Sequence, residues 1–171
     1  NGTDEYATSG EDLLTSSPMT ICTWFKLNDT SQDSAIIGNF ANSYWTNYGK
    51  GFKYTNGTLH LMCENNNDKE TISTPLNDTN WHYACGIIRT SSGKLYLDGI
   101  EVASGDLNSD GYNYWTDIGA ATYRGTQNLR NFNGLIDQTR IYNYARTPAQ
   151  IAYDYNKGAP VAWYKFDECQ G

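Results

Sequence analysis

The stretch "DLNSDGYNYWTD" (106–117) spaces its oxygens as a cation loop does. Asp106, Asn108 and Asp110 alternate, Gly111 allows a sharp turn, Tyr112 offers a carbonyl and Asp117 closes the set. Hard cations such as calcium take six to eight oxygens from that kind of array. The closing residue is an aspartate where a longer glutamate is usual, and no helical pattern flanks the loop. The same string also reads as an Asx-rich turn, in which the side chains serve their own backbone. The loop overlaps one of two aromatic runs, "NSYWTNY" (42–48) and "GYNYWTD" (111–117). Tyr44, Trp45, Tyr48, Tyr112, Tyr114 and Trp115 are flat amphipathic rings set among Asn, Thr and Asp. Such rings can lie against the C–H face of a sugar while neighbouring amides take its hydroxyls. Contact with another protein surface, or capping of an open core, are the other two uses of these rings.

Catalytic constellations are scarce. His60 and His82 are the only histidines and do not stand at metal-ligand spacing. There is no Gly-rich phosphate loop and no serine elbow. Asp167 and Glu168 are adjacent and therefore point to opposite faces of a strand. His82, beside Trp81, is read as a packing or hydrogen-bonding residue, and the chain as non-enzymatic.

These residues need elements to position them. The composition favours β-structure: 14 Tyr, 5 Trp and 16 Gly in 171 residues, with many Asn and Thr. Alternating or β-rich runs predict strands at 18–27, 35–40, 51–55, 58–64, 70–74, 81–90, 94–98, 100–104, 116–120 and 134–143. "TNGT" at 55–58 and Asp98-Gly99 mark tight hairpins, because a type I′ turn needs positive φ at both central residues. One helix is marked at its start by Thr147, Pro148 and Gln150, a capping box, and at its end by Gly158. Trp24, Leu59, Leu61, Trp81, Leu95, Leu97, Ile118, Leu135 and Ile141 are the expected core.

A net charge of −7 argues against nucleic acid as a partner, since nothing could neutralise a row of phosphates. No apolar run is long enough to span a membrane. The sequons at Asn1, Asn28, Asn56 and Asn77 all fall in expected loops or turns. None of the four cysteines shows C-x-x-C spacing. Cys22, Cys63 and Cys85 sit in strand-like runs, either as small buried hydrophobes or with two of them joined, most simply Cys63–Cys85.

Four blocks together carry a resemblance: "NGTDEYA" (1–7), "MTICTWFKL" (19–27), "LNDTNWHYACGIIRTSSGKLYLDGIEVASG" (76–105) and "FNGLIDQTRIYNYARTPAQI" (132–151). They are similar to the LamG-like jelly-roll domains of the concanavalin A-like lectin/glucanase superfamily. The departures are Gln138 for a usual Glu, Tyr144 for Arg, Asn1 for Asp, and cysteines at 22 and 85. The resemblance implies an all-β, two-sheet antiparallel jelly-roll sandwich with one short C-terminal helix. It also implies a structural calcium held where the first block meets the last strand, at Asp4 and Asp137. Glucanases of this fold carry E-x-D-x-x-E on one strand, and this chain has no such run.

"VAWYKFDECQG" (161–171) resembles the family's opening strand, yet here it follows the helix. The expected organisation is a domain at 1–158 lacking its first strand, then a linker and strand at 159–171. That strand belongs to a next repeat, folds back, or is donated to a neighbouring copy. The short, proline-stiffened "KGAP" link tilts this reading toward donation. The function expected is an extracellular, cell-surface or secreted module, acting on glycans or extracellular proteins within a tandem-repeat protein. The alternative is a structural protomer of a filament or stalk built from adjacent copies.

Overall fold

The computed structural model describes residues 5–40, 48–65, 68–107, 114–122 and 128–156. Two antiparallel sheets face each other across one apolar core. The first joins β1 (Ala7–Thr8), β10 (Asp117–Ile118), β3 (Asp33–Gly38), β4 (Tyr48–Thr55), β5 (Thr58–Asn65) and β6 (Asp68–Pro75), in that spatial order. The second runs β13 (Gly134–Tyr142), β2 (Met19–Leu27), β7 (Trp81–Ile88), β8 (Gly93–Leu97), β9 (Ile100–Gly105). The short β11 (Ala121–Thr122) and β12 (Asn128–Leu129) pair separately. This is the all-β jelly-roll sandwich the sequence implies. No helix among the described residues is long and apolar enough to cross a membrane.

The hairpins form where the turn chemistry places them. Asn56 and Gly57 take φ of 41° and 84°, and Asp98 and Gly99 take 52° and 82°. Both pairs lie in the left-handed region that short hairpins require.

α1 (Pro148–Asn156) begins on the expected capping box. The Gln150 N–H donates to Thr147 Oγ1 (3.2 Å), and the Thr147 N–H donates to Gln150 Oε1 (2.9 Å). Nine residues are too few for a stable isolated helix, so packing must hold it. Ile151 is fully buried beside Cys22, Tyr83, Cys85, Ile87 and Tyr96 on the outer face of the five-stranded sheet. Asp154 adds an ion pair with Arg146 (2.5 Å), both side chains 10 % exposed, and the Arg146 guanidinium lies 4.3 Å over the Tyr142 ring.

The expected core is corrected at two positions. Trp81 is 43 % exposed and Leu135 53 % exposed, whereas Leu59, Leu61 and Leu95 are fully buried. The reason lies in the phase of β7. Its inward set is His82, Ala84, Gly86 and Ile88, and a Cβ at Gly86 would stand 2.5 Å from Leu61 Cδ1. Small residues there admit Leu61 and Phe52 from the opposite sheet, and the bulky Trp81 and Tyr83 point outward.

The disulfide is also corrected. Cys22 joins Cys85, its register partner across β2 and β7, with Cα atoms 4.2 Å apart. That is near the close spacing of non-hydrogen-bonded antiparallel pairs. Cys85 faces outward beneath α1, while Cys63 faces the core from the other sheet and stays a free thiol. The pair Cys63–Cys85 is therefore excluded by facing. Burial pushes the Cys63 thiol up to about 12, despite the opposing field of Lys50.

Candidate functional site

The outer face of the five-stranded sheet carries two rows of side chains, set by register. One row reads Trp81, Lys26, Leu135 across β7, β2 and β13, and the next reads Tyr83, Trp24, Asp137. α1 roofs the second row. The Tyr155 ring stacks on Trp24 at 5.6 Å and on Tyr83 at 6.3 Å, and Trp24 lies 5.2 Å from Tyr83. Tyr155 reaches this position because it follows the buried Ile151 by four residues on the same helix face.

Beside this stack the register of β13 slips between Asp137 and Arg140. Gln138 sits in the slip with φ of 49°, a left-handed conformation uncommon for a side chain of this kind. Its N–H donates to Asp137 Oδ1 at 2.8 Å, which fixes the carboxylate at the strand surface. At the end of α1 the Asn156 amide donates to the Ala152 carbonyl (2.9 Å). These groups enclose a cleft of about 320 Å³ lined by Trp24, Trp81, Asp137, Gln138, Tyr155 and Asn156. It combines flat apolar rings, one carboxylate acceptor and two amides that both donate and accept.

Glycoside hydrolysis usually needs two carboxylates flanking the bond to be cut. The described lining supplies one. His82 does not take part, because its Nδ1 meets Asp98 (2.8 Å) and its Nε2 meets Asp78 (3.0 Å). Asp98 also accepts the Tyr83 N–H (2.9 Å), so the imidazole ties the β8–β9 turn to the segment before β7. Burial opposes charge on His82, but the hydrogen bonds and fields of the two carboxylates outweigh it and raise its pKa. The sequence reading of His82 as a hydrogen-bonding residue is met.

The other candidate residues that the structure describes do not line this cleft. Tyr44, Trp45, Tyr112, Asp4, Asn108, Asp110 and Asn1 lie outside the described residues, as do Gly158 and the strand-like tail. Tyr48 opens β4 opposite Asn65. Tyr114 and Trp115 are half-buried where the chain enters β10, in the other sheet from the cleft. Asp106 is exposed, but Asp117 is fully buried. Asp117 Oδ2 accepts the Thr122 N–H (2.9 Å) and hydroxyl (2.6 Å). Burial raises its pKa against the pull of those bonds. The two ends of the suspected cation loop thus differ sharply in environment. At Asp137 the nearby described donors are neutral amides. Among the described residues no three of His, Cys, Asp and Glu converge as a metal would require.

The sequence reading puts Trp24 and Trp81 in the core and marks Gln138 only as a departure from a usual Glu, while Tyr155 and Asn156 carry no mark. The cleft draws on β2, β7, β13 and α1, and no spacing in the chain announces that convergence. The helix phase of Ile151 and Tyr155 was the one local signal available.

No curated protein sequence matches the chain. Solved structures match it at low identity, which shows the fold. Domain 4 of an extracellular arabinanase from Geobacillus stearothermophilus, in complex with arabinotriose, superposes with a TM-score of 0.70 at 19% identity, covering 91% of this chain and 73% of that one. The CBM40 of the Ruminococcus gnavus IT-sialidase gives 0.68 at 15%, covering 89% and 97%. The receptor binding domain of botulinum neurotoxin C/D mosaic serotype gives 0.64 at 13%, covering 84% of this chain. The chain spans only 37% of that toxin domain. The family model of the concanavalin A-like lectin/glucanases superfamily, in its laminin G form, matches residues 1–152. With that match over most of its length, and a sandwich of the same kind, the chain belongs to this superfamily.

Proposed function

We propose that the protein is a non-catalytic carbohydrate-binding module, and that sugar is held in the cleft roofed by α1. The observation that carries this reading is the convergence of Trp24, Trp81 and Tyr155 with Asp137, Gln138 and Asn156. Sugar rings carry apolar C–H faces and polar edges, and this cleft offers partners for both. Its volume, about 320 Å³, suits one or two sugar units. A single carboxylate in the described lining supports binding without hydrolysis.

Two similar structures are sugar-binding by their own descriptions: the arabinanase domain with arabinotriose, and the sialidase CBM40, also solved with α2,3-sialyllactose. They support the general reading without naming a ligand for this chain. The Cys22–Cys85 disulfide supports an oxidising, extracellular setting. Adhesion to glycan-bearing surfaces is the role such a module would serve. The test is titration of the protein with a panel of neutral and acidic oligosaccharides, read by tryptophan fluorescence. Trp24 and Trp81 both line the cleft, so a bound sugar shifts the emission; a flat response across the panel sinks the proposal.

A further inference from the structure

Among the described residues β13 lies at the edge of its sheet. Within them it pairs with β2 on one side only, at 134–137 and again at 140–142, with the register slip between. A long open edge exposes a row of backbone donors and acceptors and invites another strand. The space beside this edge is walled by apolar side chains with Glu5, Ser16 and Asn143 among them. One cleft of about 370 Å³ includes Ala7, Ile118, Phe132 and Ile136. A second, about 180 Å³, shares Ala7 and Ile118 with it and adds Leu13 and Ile141. A third, about 440 Å³, shares Leu13 and Ile141 and ends at Tyr144. Shared walls make the three one slot. It follows β13 along the seam where the short β1 and β10 close the other sheet.

The chain itself carries a segment of matching form, "VAWYKF" at 161–166. We infer that the slot beside β13 is the seat of this segment, inserted from the same chain as a further strand of the five-stranded sheet. Alternation puts Ala162, Tyr164 and Phe166 on one face and Val161, Trp163 and Lys165 on the other. The face with Lys165 turns to solvent, and Tyr164 and Phe166 enter the slot. Six extended residues span about 20 Å, longer than either half of β13 counted from Gln138.

Reach decides the source. Asn156, the last residue of α1, lines the same cleft as Asp137 and Gln138 of β13. The segment therefore starts next to the strand it would join, one strand spacing across (about 5 Å) and about one 10 Å layer above. The four residues 157–160 extend to about 14 Å, which covers that path. A tethered strand also acts at an effective concentration in the millimolar range, which a separate copy would have to match in solution. Geometry thus reverses the tilt toward donation that the stiff link alone suggests.

The experiment is hydrogen exchange with mass-spectrometric readout on the full chain, with molar mass measured in parallel by light scattering. Peptides covering 161–166 and 134–142 are expected to be protected at least a hundredfold over random-coil rates, in a monomer, independent of protein concentration. Tyr164→Asp is expected to lower Tm, remove protection from 161–166 and reduce it at 134–142, where the amides bonded to β2 stay protected, without changing the mass. Trp163→Ser, on the solvent face, is expected to leave both protected. Random-coil exchange at 161–166 in the unaltered chain overturns the inference. So does protection that grows with concentration alongside a rising mass, which makes the occupant a neighbouring copy. If Tyr164→Asp does not fold, exchange in the unaltered chain still decides.

Discussion

Truncating Trp81 to alanine tests ligand binding at a ring that lies outside the apolar core clusters. Trp81 is 43 % exposed and stands in a row with Lys26 and Leu135, outside the core. A tryptophan has roughly 250 Å² to bury, so roughly 100 Å² of this ring is still open. One sugar ring laid on it covers about half of that, giving about 1.3 kcal/mol at ~25 cal/mol per Å². The stacking geometry adds about 1 kcal/mol. The sum, about 2.3 kcal/mol, corresponds to roughly a 40-fold rise in Kd for Trp81→Ala. The buried remainder of the ring, roughly 140 Å², bounds the stability cost at about 3.5 kcal/mol by the same coefficient, a Tm shift of about 14 °C at most for a chain of this size. Calorimetric titration of both proteins with a sugar that binds the unaltered chain, beside a melting curve, checks the two halves. Equal affinity in Trp81→Ala, with the fold intact, would refute the assignment of the cleft. Failure of Trp81→Ala to fold would show that the ring's role is structural.

His82 sets a pH dependence. Its folded pKa is raised, so its contribution is full below the unfolded value near 6.5 and is lost as pH rises through the folded value. Tm should fall with pH through that window, and His82→Gln should flatten the curve. Asp78, whose pKa is lowered chiefly by the His82 hydrogen bond, acts in the opposite sense at acid pH: its contribution is lost as pH falls through its folded value. Cys63, buried with a raised pKa, should resist alkylation at pH 8 until the protein is unfolded, as a time course with and without denaturant will show. In a host that glycosylates, Asn56 should be occupied ahead of Asn28 and Asn77. It is exposed at a turn apex, whereas the Asn28 amide donates to Asn133 and the Asn77 side chain packs against Gly57, and peptide mapping will rank the three. A calcium ion shared by Asp4 and Asp137 requires that excess chelator lower Tm by mass action; an unchanged Tm with no metal by elemental analysis removes it.

Much of the fold was legible because its signals are local. The turns at Asn56-Gly57 and Asp98-Gly99 and the Thr147–Gln150 box depend on residues within four positions of each other, and all three formed. Strands of two residues, such as β1 and β11, leave no periodicity to read. The facing of β7 failed for a different reason. From Tyr83 to Ile88 every residue is buried, one set by the opposite sheet and the other by α1, so the run shows no alternation of polarity. Only the accommodation of Leu61 by Gly86 discloses which face is inward, and that contact crosses 25 positions of sequence. The disulfide and the cleft share this difficulty, since both depend on strands far apart in the chain becoming neighbours. Asp137 is marked by resemblance as a metal ligand, and its place beside aromatic rings is a second feature that the resemblance does not announce.

The bridge between Cys22 and Cys85 also determines how the molecule would carry tension. Residues 23–84 form a covalently closed loop that contains β3, β4, β5 and β6, four of the six strands of one sheet. A pull applied beyond both cysteines runs through the sulfur bridge and bypasses that loop. With a sequence separation of 63, about 200 Å of potential chain extension is withheld. Stretching would peel α1, β13 and the β8–β9 hairpin, while the looped strands stay slack until the bridge is reduced. Under oxidising conditions the domain would thus lengthen in one limited step, with the second released only by a thiol.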